Sequence, residues 1–288
     1  MLAASLKRMI VAVVALTISA PLVIHDAKAQ GAMDRILRDK ELKIGFIPAP
    51  PGTIEDPKTG NITGYYVDGM RFVAQMIGVK PVFIETTWAN FAAGLNSGQF
   101  DVSIAGTFAT IQRAGAVEFT IPINYLGYSA VAKKGDTRFK TPADLNRPDI
   151  KIALVQGGAS NEYAKMNWPK AQFVFLATGN LTAPFVEVSA GRADVGVEDA
   201  WQARRYTADH PEVVDLFGDH PYNVLPIAWS VKRGNEDLLN FLNTAINYLL
   251  ETGTWEKMSE KYGPTGRFWN KPNLVLFGVT EAAAAKKQ

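Results

Sequence analysis

The stretch from Ser103 to Thr120, SIAGTFATIQRAGAVEFT, decides how this chain is interpreted. It begins like the end of a buried strand and passes through small polar residues. A single arginine, Arg113, then precedes a return to apolar residues. A guanidinium stays charged when it is desolvated, and its two parallel donors match a carboxylate. On this stretch alone two interpretations stay open: Arg113 reaches solvent from a helix, or it is held inward to bind an anion.

Strand-like and helix-like segments alternate on both sides of this stretch, with glycines and prolines at their ends. This order predicts parallel sheets covered by helices, an α/β fold. The predicted strand segments are 41–50 (a short strand entering a proline-rich loop), 80–88, 100–106, 150–158, 171–177 and 192–199. The predicted helices between them are 65–78, 91–99, 159–167, 181–191 and 200–210, and a hairpin tip is predicted at 55–64.

Two long extended runs, NYLGYSAVAKKGD and VLPIAWSVKRGN, break the alternation. After the second run come an amphipathic helix, Glu236–Glu251, and a shorter helix, Trp255–Tyr262. The pattern predicts two α/β lobes joined by two crossover strands. The first lobe would comprise residues 30–130 and 230–275, the second lobe residues 131–229, and residues 276–288 a solvated tail. Ligands of such folds bind in the cleft, and hinge closure traps them.

Residues 1–29 have the layout of a secretory signal peptide: a basic start, an apolar run and an A-x-A site ending at Ala29. The alternative is a membrane anchor, but the run is short and is interrupted by Thr17, Ser19 and Pro21. Cleavage removes three of 30 basic and one of 28 acidic residues, which leaves 27 of each and a net charge of zero. That balance does not favour nucleic-acid binding. An exported chain with no cysteine is expected in the periplasm, stabilised by burial alone.

Three segments resemble the extracellular solute-binding proteins of ABC importers, in the family that binds polar amino acids (family 3). They are ITGYYVDGMRFVAQMIGV, SGQFDVSIAGTFATIQRAGAVEFT and AGRADVGVEDAWQA. The resemblance extends over residues 40–263. It implies a two-lobed periplasmic-binding-protein fold of type II, with the ligand between the lobes. It also implies a membrane permease as partner and a monomer that has no cofactor and no metal.

In that family the arginine after a Thr-x-x step binds the α-carboxylate of the ligand, which the resemblance assigns to Arg113. An aspartate in the second lobe binds the α-ammonium, and Asp199 stands at that position. An alternative role for Asp199 is to cap the helix that follows it. Its neighbour Glu198 is expected to point away, because successive strand residues alternate between faces.

The turn between a predicted strand and helix places Gly158, Ala159 and Ser160 at a helix start, where free backbone N–H groups can bind an anion. The alternative is an ordinary turn in which Ser160 is the N-cap. The resemblance aligns Gly158 and Ala159 with two threonines of the family, so these hydroxyl donors are absent here. Gly106, near the end of its strand, completes the polar part of the candidate site.

Phe108 stands where the family has a serine, and Tyr66 stands where it has an aspartate. Trp88 lies at the loop where the family stacks an aromatic side chain on its ligand. Phe108, Trp88 and Trp201 could form an apolar pocket, although core packing is the alternative for each tryptophan. The pattern predicts a ligand with an apolar or aromatic side chain, and no extra carboxylate is expected to receive a cationic one.

One branch of this fold resembles a cyclohexadienyl dehydratase, and the segments GGASNEYAKMN and DAWQAR are similar to that branch. Its reaction requires a general acid. The branch carries a glutamate where this chain has Gln202, and an amide cannot donate a titratable proton. No histidine–carboxylate cluster with metal-ligand spacing occurs either. The sequence therefore predicts a binding protein for an amino acid or a related small carboxylate, rather than an enzyme.

Overall fold

The computed structural model describes residues 31–263; the predicted signal peptide and tail lie outside this range. The strands are β1 Glu41–Phe46, β2 Ile54–Glu55, β3 Ile62–Thr63, β4 Lys80–Glu85, β5 Val102–Phe108, β6 Val117–Phe119, β7 Asn124–Lys133, β8 Lys151–Val155, β9 Gln172–Leu176, β10 Val195–Asp199, β11 Val213–Asp215 and β12 Tyr222–Lys232. The helices are α1 Ala32–Asp39, α2 Tyr65–Met76, α3 Phe91–Ser97, α4 Ile111–Ala114, α5 Ser160–Asn167, α6 Ala183–Ser189, α7 Ala200–Asp209, α8 Glu236–Glu251 and α9 Thr254–Glu260. A 3₁₀ turn spans Pro142–Leu145.

The main sheet runs in the order β4-β1-β5-β12-β7-β10-β8-β9. At one end β4, β1 and β5 are parallel, and at the other end β10, β8 and β9 are parallel. The long strands β7 and β12 lie between these ends and pair antiparallel with each other and with β10 and β5. They are the two extended runs that interrupt the sequence pattern. We call the part built on β4-β1-β5 the first lobe and the part built on β10-β8-β9 the second lobe.

The first lobe contains the largest hydrophobic core, to which the C-terminal helices contribute. Helix α8 buries Leu238, Leu242, Ile246 and Leu249, a spacing that places them on one face. Trp255 of α9 joins the same core. The C-terminal helices therefore share one hydrophobic core with the N-terminal strands.

The second lobe has its own core on both faces of β8 and β10. One side packs α5 through Ala164 and Trp168, and the other packs α6 and α7 through Phe185 and Ala203. All five residues of β10 are buried, as expected for a strand covered on both faces.

The α/β interpretation and the type II periplasmic-binding-protein fold are confirmed. The predicted lobe boundaries at residues 130 and 229 fall inside β7 and β12, and they stay predictions. Helix α1, the short turn α4 and the strands β6 and β11 are additional elements that the sequence pattern did not predict. Elements of three or four residues are too short to show a periodicity, which explains three of these omissions.

Across residues 31–263, no helix combines the length and the apolar character that crossing a membrane requires.

Candidate functional site

A cleft lies between the two lobes, beyond the carboxyl ends of β5 and β10. Ligand sites of open α/β sheets occupy this position because loops and helix starts converge there. The free volume inside is about 60 Å³. The lining residues are Ala49, Pro50, Pro51, Tyr65, Tyr66, Trp88, Ala105, Gly106, Phe108, Arg113, Asn124, Leu126, Gly158, Ala159, Leu181, Glu198, Asp199, Trp201 and Gln202.

Arg113 is held inward, with a relative exposure of only 9%. Thr110 explains the Thr-x-x-Arg spacing, because its Oγ1 caps α4 by accepting a hydrogen bond from the Arg113 backbone N–H at 3.2 Å. The guanidinium donates from Nη1 to the Phe108 carbonyl at 3.2 Å and from Nη2 to the Gly157 carbonyl at 2.9 Å. It also lies over the ring of Phe91, with Cζ 5.5 Å from the ring centroid. Each terminal nitrogen carries a second N–H that makes no hydrogen bond to residues 31–263.

Asp199 ends β10 on the opposite side of the cleft and is 5% exposed. Its Oδ1 accepts hydrogen bonds from the backbone N–H groups of Trp201 and Gln202, both at 3.0 Å. Asp199 is therefore the N-cap of α7 and also lines the cleft. Both cap bonds end on Oδ1, so Oδ2 accepts no hydrogen bond from residues 31–263.

Glu198 also lines the cleft, so the expectation that it points away is wrong. It is 4% exposed, and its Oε1 accepts a hydrogen bond from the Asp199 backbone N–H at 3.2 Å. Alternation between faces separates side chains along a strand, but the cleft lies beyond the end of β10, where the last two residues both reach it. Glu198 is thus a second carboxyl group at the cleft, and the expectation that no carboxylate receives a cationic ligand side chain stays a prediction.

Burial brings the pKa values of the two carboxyl groups towards neutral pH, whereas Arg113 stays charged. Desolvation raises the pKa of Glu198 to about 8, and the negative charge of Asp199 adds to this. Desolvation also raises the pKa of Asp199 to about 6, against the lowering effect of its two cap hydrogen bonds. Burial lowers the pKa of Arg113, but a guanidinium stays charged at neutral pH.

Aromatic rings form much of the cleft wall. Trp88 and Phe108 are each 8% exposed and line it, as does Trp201. Tyr65, at the start of α2, supplies a further ring that the sequence interpretation did not assign. Tyr66 donates a hydrogen bond to Asn124 Oδ1 at 3.3 Å and thereby fixes an amide that lines the cleft. The sequence feature that could have identified Tyr65 and Tyr66 is the pair of tyrosines directly after the predicted hairpin.

The start of α5 is only partly as predicted. Gly158 and Ala159 line the cleft, whereas Ser160 does not. Ser160 is the first residue of α5 instead of its N-cap, and its side chain is buried with 1% exposure. Gly106 lines the cleft and has a positive φ of 65°. A Cβ at that position would come within 2.5 Å of the Tyr66 ring, so glycine is required there.

Within residues 31–263, four side-chain hydrogen bonds cross the cleft. Arg113 and Gln202 donate to the Gly157 and Pro50 carbonyls at 2.9 and 2.8 Å. Longer bonds of 3.4 Å join Trp88 Nε1 to the Gly179 carbonyl and Thr110 Oγ1 to Glu162 Oε1. Gly157 also permits the close approach, because a Cβ on it would lie 3.0 Å from the backbone of Ala89. The structure is thus a closed arrangement of the lobes.

The polar groups of the cleft suit an organic zwitterion better than a metal ion. Arg113 provides a fixed positive charge, and two carboxyl groups face it. Within residues 31–263, no group of three or more histidine and acidic side chains is arranged to hold a metal ion. The chemistry available is therefore charge pairing and hydrogen bonding in a largely apolar enclosure.

Comparison with known proteins agrees with this geometry. A probable amino-acid ABC transporter-binding protein of Haemophilus influenzae is 29% identical over 78% of this chain and 86% of its own length. Cyclohexadienyl dehydratase of Pseudomonas aeruginosa is 25% identical over 81% of this chain and 86% of its own. Among solved structures, an ancestral amino acid-binding protein, a precursor of cyclohexadienyl dehydratase, superimposes with a TM-score of 0.73. It is 30% identical, and the match covers 81% of this chain and all of that chain.

The family model for bacterial extracellular solute-binding proteins, family 3, matches residues 42–265. This range includes both lobes, both crossover strands and each of the predicted site residues. The chain belongs to the bacterial extracellular solute-binding proteins of family 3.

Proposed function

We propose that this protein binds an amino acid, or a closely related small carboxylate, in the cleft and delivers it to the permease of an ABC importer. The observation that carries the proposal is the placement of Arg113 and Asp199, two buried and oppositely charged groups that face one cleft from different lobes. Arg113 binds the ligand carboxylate with its remaining N–H groups. Asp199 binds the ammonium through Oδ2, since Oδ1 is occupied by the helix cap.

This arrangement lets a zwitterionic ligand stabilise the closed state. A zwitterion that bridges the lobes neutralises both charges, whereas a molecule with one charge leaves the other uncompensated in a dry cleft. The enclosed volume of about 60 Å³ holds only a few waters, so ligand exchange requires the lobes to separate. The crossover strands β7 and β12 are the hinge of that motion.

The lining favours a ligand with an apolar or aromatic side chain. Trp88, Phe108 and Trp201 supply flat apolar surface, and Leu126 and Leu181 complete it. Burial of such a side chain contributes to affinity in proportion to the apolar area removed from water. The ligand's charged groups set its orientation, and the walls select its side chain.

A thermal-shift screen of the mature protein against the common amino acids and their deaminated analogues tests the proposal. A ligand at one hundred times its Kd adds about 2.7 kcal/mol to the free energy of unfolding and raises the melting temperature by several degrees. Shifts with amino acids, and weaker shifts with the deaminated acids, support the proposal. No shift with any amino acid contradicts it.

The predicted signal peptide places the mature protein in the periplasm, next to the permease. Expression of the complete chain in a Gram-negative host, followed by mass measurement of the periplasmic fraction, tests this. The expected product begins at Gln30. An uncleaved, membrane-associated product contradicts the assignment.

A dehydratase-like activity is the second candidate, and one observation favours it. Glu198 holds a carboxyl with a raised pKa inside the cleft, which is the property that a general acid requires. Against it, Gln202 stands at the position of the glutamate in that branch and is engaged with the Pro50 carbonyl. Incubation of the protein with prephenate decides between them. Turnover of prephenate that is lost in Glu198→Gln would support the enzyme. Absence of turnover would support the binding protein.

A further inference from the structure

We infer that Gln202 determines which ligands the cleft binds, because its side-chain oxygen accepts a hydrogen bond from an uncharged N–H or O–H group on the ligand's side chain. The inference rests on the proposed function, since it assigns a further contact in the same amino-acid site. It narrows the ligand class to an amino acid whose side chain is mainly apolar and carries one neutral donor.

The orientation of the Gln202 amide is fixed from the first lobe. Its Nε2 donates to the Pro50 carbonyl at 2.8 Å. A carbonyl can only accept, so the nitrogen must face Pro50 and Oε1 lies on the other side of the amide. Two backbone hydrogen bonds between Ala49 and Thr53, at 2.8 and 3.1 Å, close the loop that carries Pro50. The closed lobes therefore hold the Gln202 oxygen in one orientation.

The Gln202 oxygen is also free and accessible. The residue lines the cleft and is 5% exposed. Its Oε1 accepts no hydrogen bond from residues 31–263 and keeps accessible surface, whereas the unpartnered Oε2 of Glu198 is fully buried. A donor on a ligand in the cleft can thus reach Gln202 Oε1.

The local sequence would give Gln202 a different role. Asp199 and Gln202 have the spacing of a capping box, in which the side chain three residues into the helix bonds back to the N-cap N–H. Asp199 caps α7 through Oδ1, but its own backbone N–H donates to Glu198 Oε1 at 3.2 Å. Glu198 takes the place of Gln202 in the box. The Gln202 side chain is thereby released to extend across the cleft.

An amide oxygen in this position favours a neutral donor. Gln202 carries no charge, so it cannot compensate a cationic side chain in a dry cleft. A hydroxyl, carboxamide or ring N–H donates without that cost. An apolar analogue leaves the oxygen without a donor in a volume of about 60 Å³, and sites that hydrogen-bond a ligand group reject the analogue that lacks it.

The test uses isothermal titration calorimetry on the full mature protein with matched pairs of amino acids. The pairs are threonine and valine, glutamine and methionine, and tyrosine and phenylalanine, with lysine and arginine as cationic probes. The donor lies at a different distance from Cα in each pair. The pair whose donor reaches Oε1 should show about tenfold tighter binding of the donor-bearing member.

Two variants separate this contact from the bond that holds the lobes together. Gln202→Met keeps the length of the side chain but removes both the oxygen and the N–H group, so both members should bind more weakly and with equal affinity. Gln202→Glu keeps an acceptor oxygen and loses the donor to the Pro50 carbonyl, so both members should bind more weakly while the preference persists. Gln75→Met, at an exposed glutamine on α2, is the matched control and should change neither affinity nor preference.

Equal affinities within every wild-type pair, or tighter binding of the apolar members, overturn the inference while the proposed function stands. A preference that persists in Gln202→Met, or one that disappears in Gln202→Glu, also overturns it. So does a wild type that binds lysine or arginine more tightly than the six paired amino acids. If Gln202→Met does not fold by circular dichroism, the wild-type pairs and Gln202→Glu decide. A wild type that binds no amino acid overturns the proposed function as well.

Discussion

The two sides of the cleft hold their charges in opposite ways. In the first lobe, the positive charge of Arg113 is fixed by backbone carbonyls and by the face of Phe91. In the second lobe, Asp199 and Glu198 accept hydrogen bonds from backbone N–H groups. The guanidinium cannot titrate near neutral pH, whereas burial brings both carboxyl groups into the range where they do. One side of the site is therefore constant, and the other side responds to pH.

The sharpest test of this comparison is Arg113→Ala. Loss of one partner of a buried, hydrogen-bonded charge pair costs about 2–5 kcal/mol, so affinity for an amino acid should fall at least about 30-fold. Calorimetry measures the affinity, and circular dichroism checks that the protein stays folded. Arg192→Ala, at an exposed ion pair with Glu187, is the control and should bind like the wild type. Unchanged affinity in Arg113→Ala would show that the guanidinium does not bind the ligand.

On the opposite side, Asp199→Asn should weaken amino acids by about 10- to 100-fold, the value of a hydrogen bond to a charged group. Its effect on the matching deaminated acids should be much smaller, because these carry no ammonium. Asparagine is as good an N-cap as aspartate, so helix α7 should keep its stability. Competition titrations with paired ligands measure the ratio. Equal loss of affinity for both ligand types would show that Asp199 serves only as the N-cap of α7.

Gln202→Ala removes a contact between the lobes and leaves both charged groups in place. One neutral hydrogen bond is worth about 0.5–1.5 kcal/mol, which predicts about 2- to 10-fold weaker binding. The loss should appear as faster dissociation, because the bond to the Pro50 carbonyl forms only when the lobes meet. Stopped-flow measurement of tryptophan fluorescence follows it. A change in the association rate alone would show that Gln202 does not hold the closed state.

A further test uses the ligand-free protein. The pKa values of Glu198 and Asp199 rise from ordinary values of 4.5 and 3.8 to about 8 and about 6. Between the ordinary and the raised pKa of each group the folded state binds more protons than the unfolded state, so stability is present at low pH and is lost as pH rises. The melting temperature should fall by about 10 °C between pH 5 and pH 8 from this cause. In Glu198→Gln the fall should be smaller, and an equal fall would contradict the assignment.

Much of this arrangement could be predicted from the sequence, for physical reasons that can be named. Glycines and helical spacing predicted the regular elements of the sheet, and the Thr-x-x-Arg spacing located Arg113 because Thr110 caps the turn that carries it. The sequence interpretation failed where a strand ends. The alternation rule applies to side chains above and below a sheet, and Glu198 lies at an edge that opens into the cleft.

Other features depend on contacts between segments distant in sequence. The ring of Tyr65 reaches the cleft only because α2 packs against Trp255 of α9, far along the chain. Ser160 had both a ligand role and a cap role in the sequence interpretation, and it has neither position in the structure, because α5 begins one residue earlier than a serine cap requires. The start of α5 depends on how the turn at Gly157 packs against the opposite lobe. A local sequence pattern contains no information about that contact.

Three of the four hydrogen bonds across the cleft end on main-chain carbonyls, those of Gly157, Pro50 and Gly179. A carbonyl is present whatever the side chain, so substitution on the receiving side cannot delete the acceptor. The donors Arg113, Gln202 and Trp88, by contrast, all line the cleft. The same side chains therefore face the ligand and fasten the lobes, so a substitution that changes the ligand preference at one of these three positions also changes the stability of the closed state.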